Sequence, residues 1–200
     1  MNPWRERLGQ WFTPAARRCP LSPNAITLLA LAINAAAAAL LYRRWFLAAI
    51  ALVSIGGFAD AFDGVVARVQ QKTSRYGDFL DHFADRVSDT LLLAGWLLGN
   101  SVRIEIAIGA VIGVMLNGYI GTQLEATWRQ REYESMGRGE FVLGLIIFPA
   151  VSSILYRNGW QDAALASLRV VDWMALVVIL FALLGILQRF GVAAKLERSQ

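Results

Sequence analysis

Six aspartates lie between Phe58 and Asp89 in a chain that is otherwise strongly apolar. They are Asp60, Asp63, Asp78, Asp81, Asp85 and Asp89. Carboxylates gathered in this way repel one another unless a cation lies among them, and hard oxygen ligands favour Mg²⁺ or Mn²⁺ over zinc or copper. An aspartate placed in a bilayer costs about 2.5–3.5 kcal/mol even on the lenient insertion scale. The cluster therefore predicts a divalent-metal centre.

Helical geometry predicts where these carboxylates point. At about 100° per residue, Asp60, Asp63, Gly64 and Ala67 share one helix face, and Asp81, Asp85 and Asp89 share a face of the next helix. A tight turn across 69–77 would make the two helices antiparallel neighbours, so that the acidic faces meet. Small residues on the first face leave space for a planar or phosphorylated ligand near the backbone. The alternative is simple ion pairing of the aspartates with nearby cations, which are Arg68, Lys72, Arg75 and Arg86.

The elements that carry the cluster are predicted to be membrane helices. Hydrophobic residues make up 56% of the 200-residue chain and charged residues only 17%, which lies outside the usual soluble range. Six long uncharged runs, extended by their flanks, approach the roughly 20 residues that cross a bilayer. We predict an all-α integral membrane protein with six spans at 24–43, 45–68, 78–100, 104–126, 140–157 and 171–190.

The flanking segments complete a single domain over residues 1–200. Residues 3–18 have apolar residues at near-helical spacing, which predicts an interfacial amphipathic helix within the segment 1–23. A signal peptide fits less well, because small residues lie inside the first apolar stretch and not after it. With the N-terminus inside, 14 Lys and Arg lie toward the cytoplasm and 5 lie opposite. Both termini, including a tail at 191–200, are therefore predicted to be cytoplasmic.

Charge and cysteine content exclude other classes. The net charge of +4 and the pI near 9.6 could indicate nucleic-acid binding. However, the basic residues border helix ends, where they meet anionic lipid headgroups, and no nucleic-acid partner is predicted. The single cysteine, Cys19, excludes an intrachain disulfide and a cysteine metal cluster.

The acidic segment resembles the signature of the CDP-alcohol phosphotransferase family. That signature runs Asp, two residues, Asp-Gly, two residues, Ala-Arg, about eight residues, Gly, three residues, Asp, three residues, Asp. The matching positions are Asp60, Asp63, Gly64, Ala67, Arg68, Gly77, Asp81 and Asp85. Pro23, Asn24 and Thr27 also resemble the family's Pro-Asn-x-x-Thr element. The closest resemblance is to the branch that makes phosphatidylinositol phosphate.

This resemblance implies a function for each part of the motif. The enzyme would transfer a phosphatidyl or phospho-alcohol group from a CDP-alcohol, such as CDP-diacylglycerol or an archaeal ether counterpart, to an alcohol, releasing CMP on the cytoplasmic side. Asp60, Asp63, Asp81 and Asp85 would hold a pair of Mg²⁺ or Mn²⁺ ions, with Asp85 also the general base. The donor would contact residues of both motifs, namely Pro23, Asn24, Thr27, Asp60, Asp63, Gly64, Ala67, Arg68 and Gly77.

The acceptor side of the site is less well defined. Arg138 and Arg189 resemble positions that bind a phosphorylated acceptor, such as inositol phosphate, although either residue could be an ordinary cytoplasmic anchor. The fourth span has Gly121 and Gln123 where phosphate-binding relatives carry basic residues, and Phe141 stands where another Arg is expected. Losing these donors weakens a phosphate site, so an unphosphorylated or differently shaped alcohol stays open alongside inositol phosphate and glycerol phosphate.

Three further interpretations complete the sequence analysis. Asp78 and Asp89 fall outside the signature and are interpreted as supporting or surface groups, and His82 as a structural or pairing residue. Gly113, Asn117 and Gly121 allow close helix packing, with a homodimer interface as one use. The rival function is a divalent-cation transporter, but its acidic residues would be spread across the membrane depth.

Overall fold

The computed structural model of the chain describes residues 12–128 and 138–198, with side chains from 143 onward in the second range. After a helical segment at 12–18, the helices are α1 (Pro23–Tyr42), α2 (Phe46–Val69), α3 (Arg75–Gly99), α4 (Ile104–Trp128), α5 (Arg138–Arg157) and α6 (Val170–Arg198). A short hairpin of β1 (Ala164–Leu165) and β2 (Leu168–Arg169) precedes α6. The prediction of an almost wholly helical protein is confirmed.

Among the described residues, four helices are long and apolar enough to cross a membrane, namely α1, α2, α4 and α6. Helix α5 contains a shorter apolar stretch at Leu143–Arg157. Helix α3 carries Asp78, Asp81, Asp85 and Asp89, and its last turns are apolar. This composition is that of an integral membrane protein.

Helix α1 packs closely against both α2 and α3. Ser22 caps its start, because the Ser22 Oγ accepts a hydrogen bond from the Ala25 N–H. Gly95 and Gly99 of α3 lie directly against the carbonyl groups of Ala38 and Leu41, where a Cβ would collide with α1 backbone. Because glycine has no side chain, Gly95 and Gly99 let α1 and α3 approach closely near the end of the bundle remote from the aspartates.

Helices α4 and α6 form the second closely packed pair, while α5 packs against α2. A Cβ at Gly113 of α4 would lie 3.2 Å from the Cβ of Ala182 on α6, and Gly185 of α6 lies against the Asn117 amide. The prediction that Gly113 and Asn117 permit close packing is confirmed. Their partner is α6 of the same chain, so this face is not available to a second copy.

The main hydrophobic core lies toward the end of the bundle remote from the aspartates. It includes Leu41 of α1, Leu93, Trp96 and Leu97 of α3, and Val171 of α6, all at most 2% exposed. The Trp96 indole N–H donates to the Ser152 Oγ at 3.0 Å, which satisfies a polar group that burial would otherwise leave unpaired. This core fixes the helices from which the polar end projects.

Residues 12–18 of the predicted interfacial helix are helical, and its residues 3–11 lie outside the described residues. Ala16 is fully buried in a small cluster with Val65 and Val66 of α2. The Gln70 side chain donates from Nε2 to the carbonyl oxygens of Ala16 and Cys19, both at 2.9 Å. The segment is therefore docked on the polar end of α2.

Some predicted boundaries and loops differ from the structure. Helix α3 begins at Arg75, inside the predicted turn, because the Ser74 Oγ accepts from the Gly77 N–H and caps the helix there. Helix α6 continues to Arg198, through most of the predicted tail at 191–200. The hairpin was not predicted, since its turn residues, Ala166 and Ser167, adopt positive φ without the Asn or Gly that usually marks such turns.

Candidate active site

Three carboxylates from two helices converge at the polar end of the bundle. One oxygen from each of Asp60, Asp81 and Asp85 lies within 4.8 Å of one oxygen from each of the others. Asp60 comes from α2, and Asp81 and Asp85 lie one turn apart on α3. The short connection at 70–74 makes the two helices antiparallel, so the predicted meeting of their acidic faces is confirmed.

Burial raises the cost of keeping these carboxylates charged. Asp85 is 8% exposed, while Asp60 and Asp81 are half-buried. Converging oxygens of this kind are the ligand set that Mg²⁺ and Mn²⁺ prefer, and a bound cation would offset the mutual repulsion. The residues present therefore fit a divalent cation.

The fourth predicted ligand, Asp63, has a different neighbour. Its Oδ2 accepts a hydrogen bond of 2.6 Å from the Thr27 hydroxyl of α1, and both residues are at least 94% buried. Asp63 is not one of the three convergent carboxylates, which are Asp60, Asp81 and Asp85. It lies one helical turn from Asp60 on α2, and its carboxylate is hydrogen-bonded to Thr27 of α1.

The predicted donor-binding residues lie around these aspartates. At the start of α1, the Asn24 Oδ1 would lie 3.2 Å from a Cβ built on Gly77 of α3, so only glycine leaves this approach undisturbed. On α2, the Arg68 guanidinium folds back toward Gly64, with its Nη1 3.4 Å from where a Cβ would be. The two motif segments, far apart in sequence, therefore meet at one end of the α1–α2–α3 group.

A pair of arginines lies on the other side of α3, against α4. The guanidinium of Arg86 lies where a Cβ of Gly118 would collide with it, and its Nη2 is 3.0 Å from the Oδ2 of buried Asp89. The alternative of ion pairing within the acidic segment is thus borne out for Arg86 and Asp89. Asp89 supports a cation, as interpreted from the sequence, and is not part of the three-carboxylate group.

Arg189 of α6 lies one turn further along the same face of α4. Its Nη1 donates to the backbone oxygen and to the Oδ1 of Asn117. A Cβ at Gly121 would come within 2.9 Å of its Cζ. Arg86 is a charged neighbour of Arg189. Two glycines three residues apart therefore make adjoining recesses for two guanidinium groups.

The other predicted residues lie at the margins. The His82 Nε2 is 4.0 Å from the Oδ2 of exposed Asp78, which agrees with a pairing role. The Gln123 Nε2 donates to the Tyr119 hydroxyl at 2.7 Å on an exposed face of α4. Arg138 begins α5, and its side chain and that of Phe141 lie outside the described side chains.

Comparison with known proteins decides the family. Residues 20–181 match the model of the CDP-alcohol phosphatidyltransferase family. The chain belongs to that family. It is therefore an enzyme, a transferase of substituted phosphate groups in phospholipid synthesis, and the cation-transporter alternative is set aside.

Relatives within the CDP-alcohol phosphatidyltransferase family are both archaeal and bacterial. The chain is 34% identical over 114 residues to an archaetidylinositol phosphate synthase of Pyrococcus horikoshii, covering 57% of this chain and 58% of the relative. It is 24% identical to the enzyme of that name from Methanothermobacter thermautotrophicus, covering 88% and 90%. A phosphatidylinositol phosphate synthase of Streptomyces avermitilis is 38% identical over 79 residues, covering 39% and 32%.

Solved structures show that the family's fold is shared. A Mycobacterium tuberculosis phosphatidylinositol phosphate synthase with CDP-DAG bound superposes with a TM-score of 0.66, covering 92% of each chain at 21% identity. The same enzyme in complex with manganese and citrate gives 0.67, covering 92% of this chain and 88% of that one at 22% identity.

Sequence reasoning missed two features of this family member. Arg86 was considered only as an ion-pairing residue, and Asn117 only as a packing residue. In the structure Arg86 is a charged neighbour of Arg189, and Asn117 accepts hydrogen bonds from the Arg189 Nη1. Two signals were available in the sequence, the i,i+3 spacing of Arg86 and Asp89 and the matching spacing of Gly118 and Gly121. The sequence alone does not show the register in which α3 and α6 pack against those glycines of α4.

Proposed function

We propose that the chain transfers the phosphatidyl group of a CDP-linked lipid to a phosphorylated polyol, such as inositol phosphate, with release of CMP. The convergence of Asp60, Asp81 and Asp85 in a chain of this family carries the donor half of the proposal. The paired guanidinium groups of Arg86 and Arg189 carry the acceptor half. The names of the relatives, which are synthases of inositol phosphate lipids, agree with this acceptor.

The carboxylates would hold the cofactor. Asp60, Asp81 and Asp85, joined by Asp63, are the proposed ligands of a pair of Mg²⁺ or Mn²⁺ ions. When bound, these cations would offset the negative charge that develops on the transferred phosphoryl and on departing CMP. The solved relative in complex with manganese supports this choice of metal.

The reaction is a single displacement at phosphorus. The acceptor hydroxyl oxygen forms a bond to the phosphorus that bears the lipid, and the bond from that phosphorus to the CMP oxygen breaks. A carboxylate oxygen of Asp85 takes the hydroxyl proton, because Asp85 is the most buried of the three convergent aspartates and lies in the middle of α3. CMP leaves with the electron pair of the broken bond.

The donor is bound by the helix ends around the aspartates. Pro23 and Asn24 at the start of α1, with Thr27 one turn on, face Asp63 and Gly77. Gly64 and Ala67 leave the α2 backbone accessible to the nucleotide, while Arg68 offers a cation to its phosphates. Asn24, Gly64 and Gly77 therefore set how closely the nucleotide approaches the metal ligands.

The acceptor phosphate is recognised from the opposite side of α3. Guanidinium groups bind phosphate through paired, charge-assisted hydrogen bonds. The absence of basic residues at Gly121 and Gln123 left an unphosphorylated acceptor open on sequence grounds. Arg189 occupies the space that Gly121 leaves, and Arg86 adds a second cation, so the site has a positive surface without a basic residue on α4. Arg138 is a further candidate cation at the start of α5.

The membrane arrangement forms part of the same proposal. Six spans, α1 to α6, would place the aspartates near the cytoplasmic surface, with both termini and CMP release on that side. The excess of Lys and Arg toward this side supports the orientation. Two such chains would form a homodimer through surfaces other than the α4–α6 face.

An acceptor panel tests the proposal. The purified chain in detergent receives labelled CDP-diacylglycerol with Mn²⁺ and one acceptor at a time, chosen from inositol phosphate, glycerol phosphate, inositol, glycerol and serine. We expect CMP release and a labelled lipid product with a phosphorylated acceptor, and at least about tenfold less with its unphosphorylated counterpart, since losing a charge-assisted contact costs about 1.5–3 kcal/mol. Equal turnover of inositol and inositol phosphate would contradict the acceptor assignment while leaving the donor assignment intact.

A further inference from the structure

The hydrogen bond between Thr27 and Asp63 joins α1 to the proposed metal centre. Its length is 2.6 Å, which is the usual length of a hydroxyl–carboxylate hydrogen bond, and it joins residues that are 36 positions apart in sequence. Thr27 is 5% exposed and Asp63 is 6% exposed. Water therefore competes little for either group, and the contact is a fixed part of the interior.

The Thr27 hydroxyl has one proton and two acceptors within reach. The Pro23 carbonyl oxygen, one turn earlier on α1, is 3.1 Å away, and the Asp63 Oδ2 is closer and charged. A charge-assisted bond is the stronger of the two, so the Thr27 hydroxyl donates its proton mainly toward the Asp63 Oδ2. The Pro23 carbonyl then helps to fix the Thr27 rotamer, which aims the hydroxyl at α2.

We propose that Thr27 is a positioning residue for Asp63: it fixes the Asp63 Oδ2 so that the carboxylate is oriented before a cation binds. This inference rests on the proposed role of Asp63 as a metal ligand. Hydrogen-bonded partners of metal-ligating carboxylates orient those ligands, and losing such a partner typically costs 10–100-fold in metal affinity. The resemblance to the family assigns Thr27 to the nucleotide instead, and the two roles predict different behaviour when no nucleotide is present.

Mn²⁺ binding to the full-length chain without nucleotide separates these roles. Free Mn²⁺ is measured by electron paramagnetic resonance during titration of the detergent-solubilised protein. We expect Thr27→Val, which keeps the side-chain shape and removes the hydroxyl, to weaken Mn²⁺ binding 10–100-fold. Thr27→Ser restores the hydroxyl and should bind within about threefold of the unaltered chain. Thr122→Val is the matched control, because the Thr122 hydroxyl donates only along its own helix, to the Gly118 carbonyl at 3.2 Å.

The outcomes are distinct. Unaltered Mn²⁺ affinity in Thr27→Val, or an equal loss in Thr27→Ser and Thr27→Val, would overturn the positioning role. If Thr27→Val does not fold, Thr27→Cys replaces it, because a cysteine is similar in volume and its thiol is a weaker donor. Thr27→Cys should bind Mn²⁺ more weakly than Thr27→Ser. A Mn²⁺ affinity of Thr27→Cys equal to that of the unaltered chain would overturn the inference. Unchanged Mn²⁺ binding by Asp63→Asn, or no binding by the unaltered chain, would instead defeat the metal assignment on which this inference rests.

Discussion

The two sides of α3 are built in different ways. On the side of α1 and α2, the converging carboxylates come from two helices, α2 and α3, that are joined by one short connection. On the side of α4 and α6, the cations Arg86 and Arg189 come from helices about 100 residues apart and occupy recesses at Gly118 and Gly121. The donor side depends on the carboxylate side chains that are present. The acceptor side depends equally on two glycines, whose lack of a side chain makes room for the arginines.

The largest expected effect comes from removing the proposed base on the donor side. Asp85→Asn keeps the size of the side chain but cannot accept the proton, so turnover measured as Mn²⁺-dependent CMP release should fall about 10²–10⁴-fold. Asp78→Asn is the matched control, because Asp78 lies on the same helix but is exposed, and its Oδ2 is 4.0 Å from the His82 Nε2. Undiminished turnover in Asp85→Asn would remove Asp85 as the base.

The next effect tests whether a glycine recess sets the acceptor site. In Gly121→Ala the new Cβ would displace the end of the flexible Arg189 side chain, so the thermal midpoint should change little. The KM for inositol phosphate should rise about tenfold, equivalent to about 1.4 kcal/mol, while the KM for the CDP-lipid is unchanged.

The matched control for the recess is Gly113→Ala, on the same face of α4. Its new Cβ would meet the Cβ of Ala182, which cannot rotate away, so this variant should lose stability and keep its acceptor KM. A rise in acceptor KM in both variants would mean that helix packing, and not the placement of Arg189, governs acceptor binding.

A smaller effect separates the two roles of Arg86. Arg86→Gln leaves the buried Asp89 without its cation, which should cost about 1–3 kcal/mol of stability, and should also raise the acceptor KM severalfold. The double variant Arg86→Gln/Asp89→Asn should recover stability because residue 89 no longer carries a charge that has lost its cation, but it should keep the raised KM. Recovery of KM together with stability would show that Arg86 is only structural.

The smallest effect is the dependence on salt. Because the acceptor side attracts its ligand by charge, the KM for a phosphorylated acceptor should rise a fewfold between low and physiological ionic strength. The KM for the CDP-lipid, which is held in the interior near α1 and α2, should change less. Equal changes in both would remove the electrostatic distinction between the two sides.

The sequence predicted the donor side well for a physical reason. Asp60 and Asp81 lie on consecutive helices joined by a short turn, so helical periodicity alone brings their faces together. The six helical segments followed from equally local patterns. The same reasoning did not predict the hydrogen bond from Thr27 to Asp63, because that contact depends on how α1 packs against α2.

The acceptor side was harder to predict because its contacts are long-range. Arg189 was identified by its resemblance to the family, but its partner Asn117 and its recess at Gly121 depend on the register between α4 and α6. Counting basic residues on α4 alone therefore pointed away from a phosphorylated acceptor. The hairpin at Ala164–Arg169 was missed for a different reason, since its turn residues lack the usual sequence signal.

The most direct test of the central claim is an anomalous difference map from crystals of the chain grown with Mn²⁺. We expect manganese peaks coordinated by oxygens of Asp60, Asp81 and Asp85, with the Asp63 Oδ1 completing the site while the Asp63 Oδ2 keeps the hydrogen bond from Thr27. Peaks that lie away from these aspartates, or a manganese site without Asp63, would contradict it.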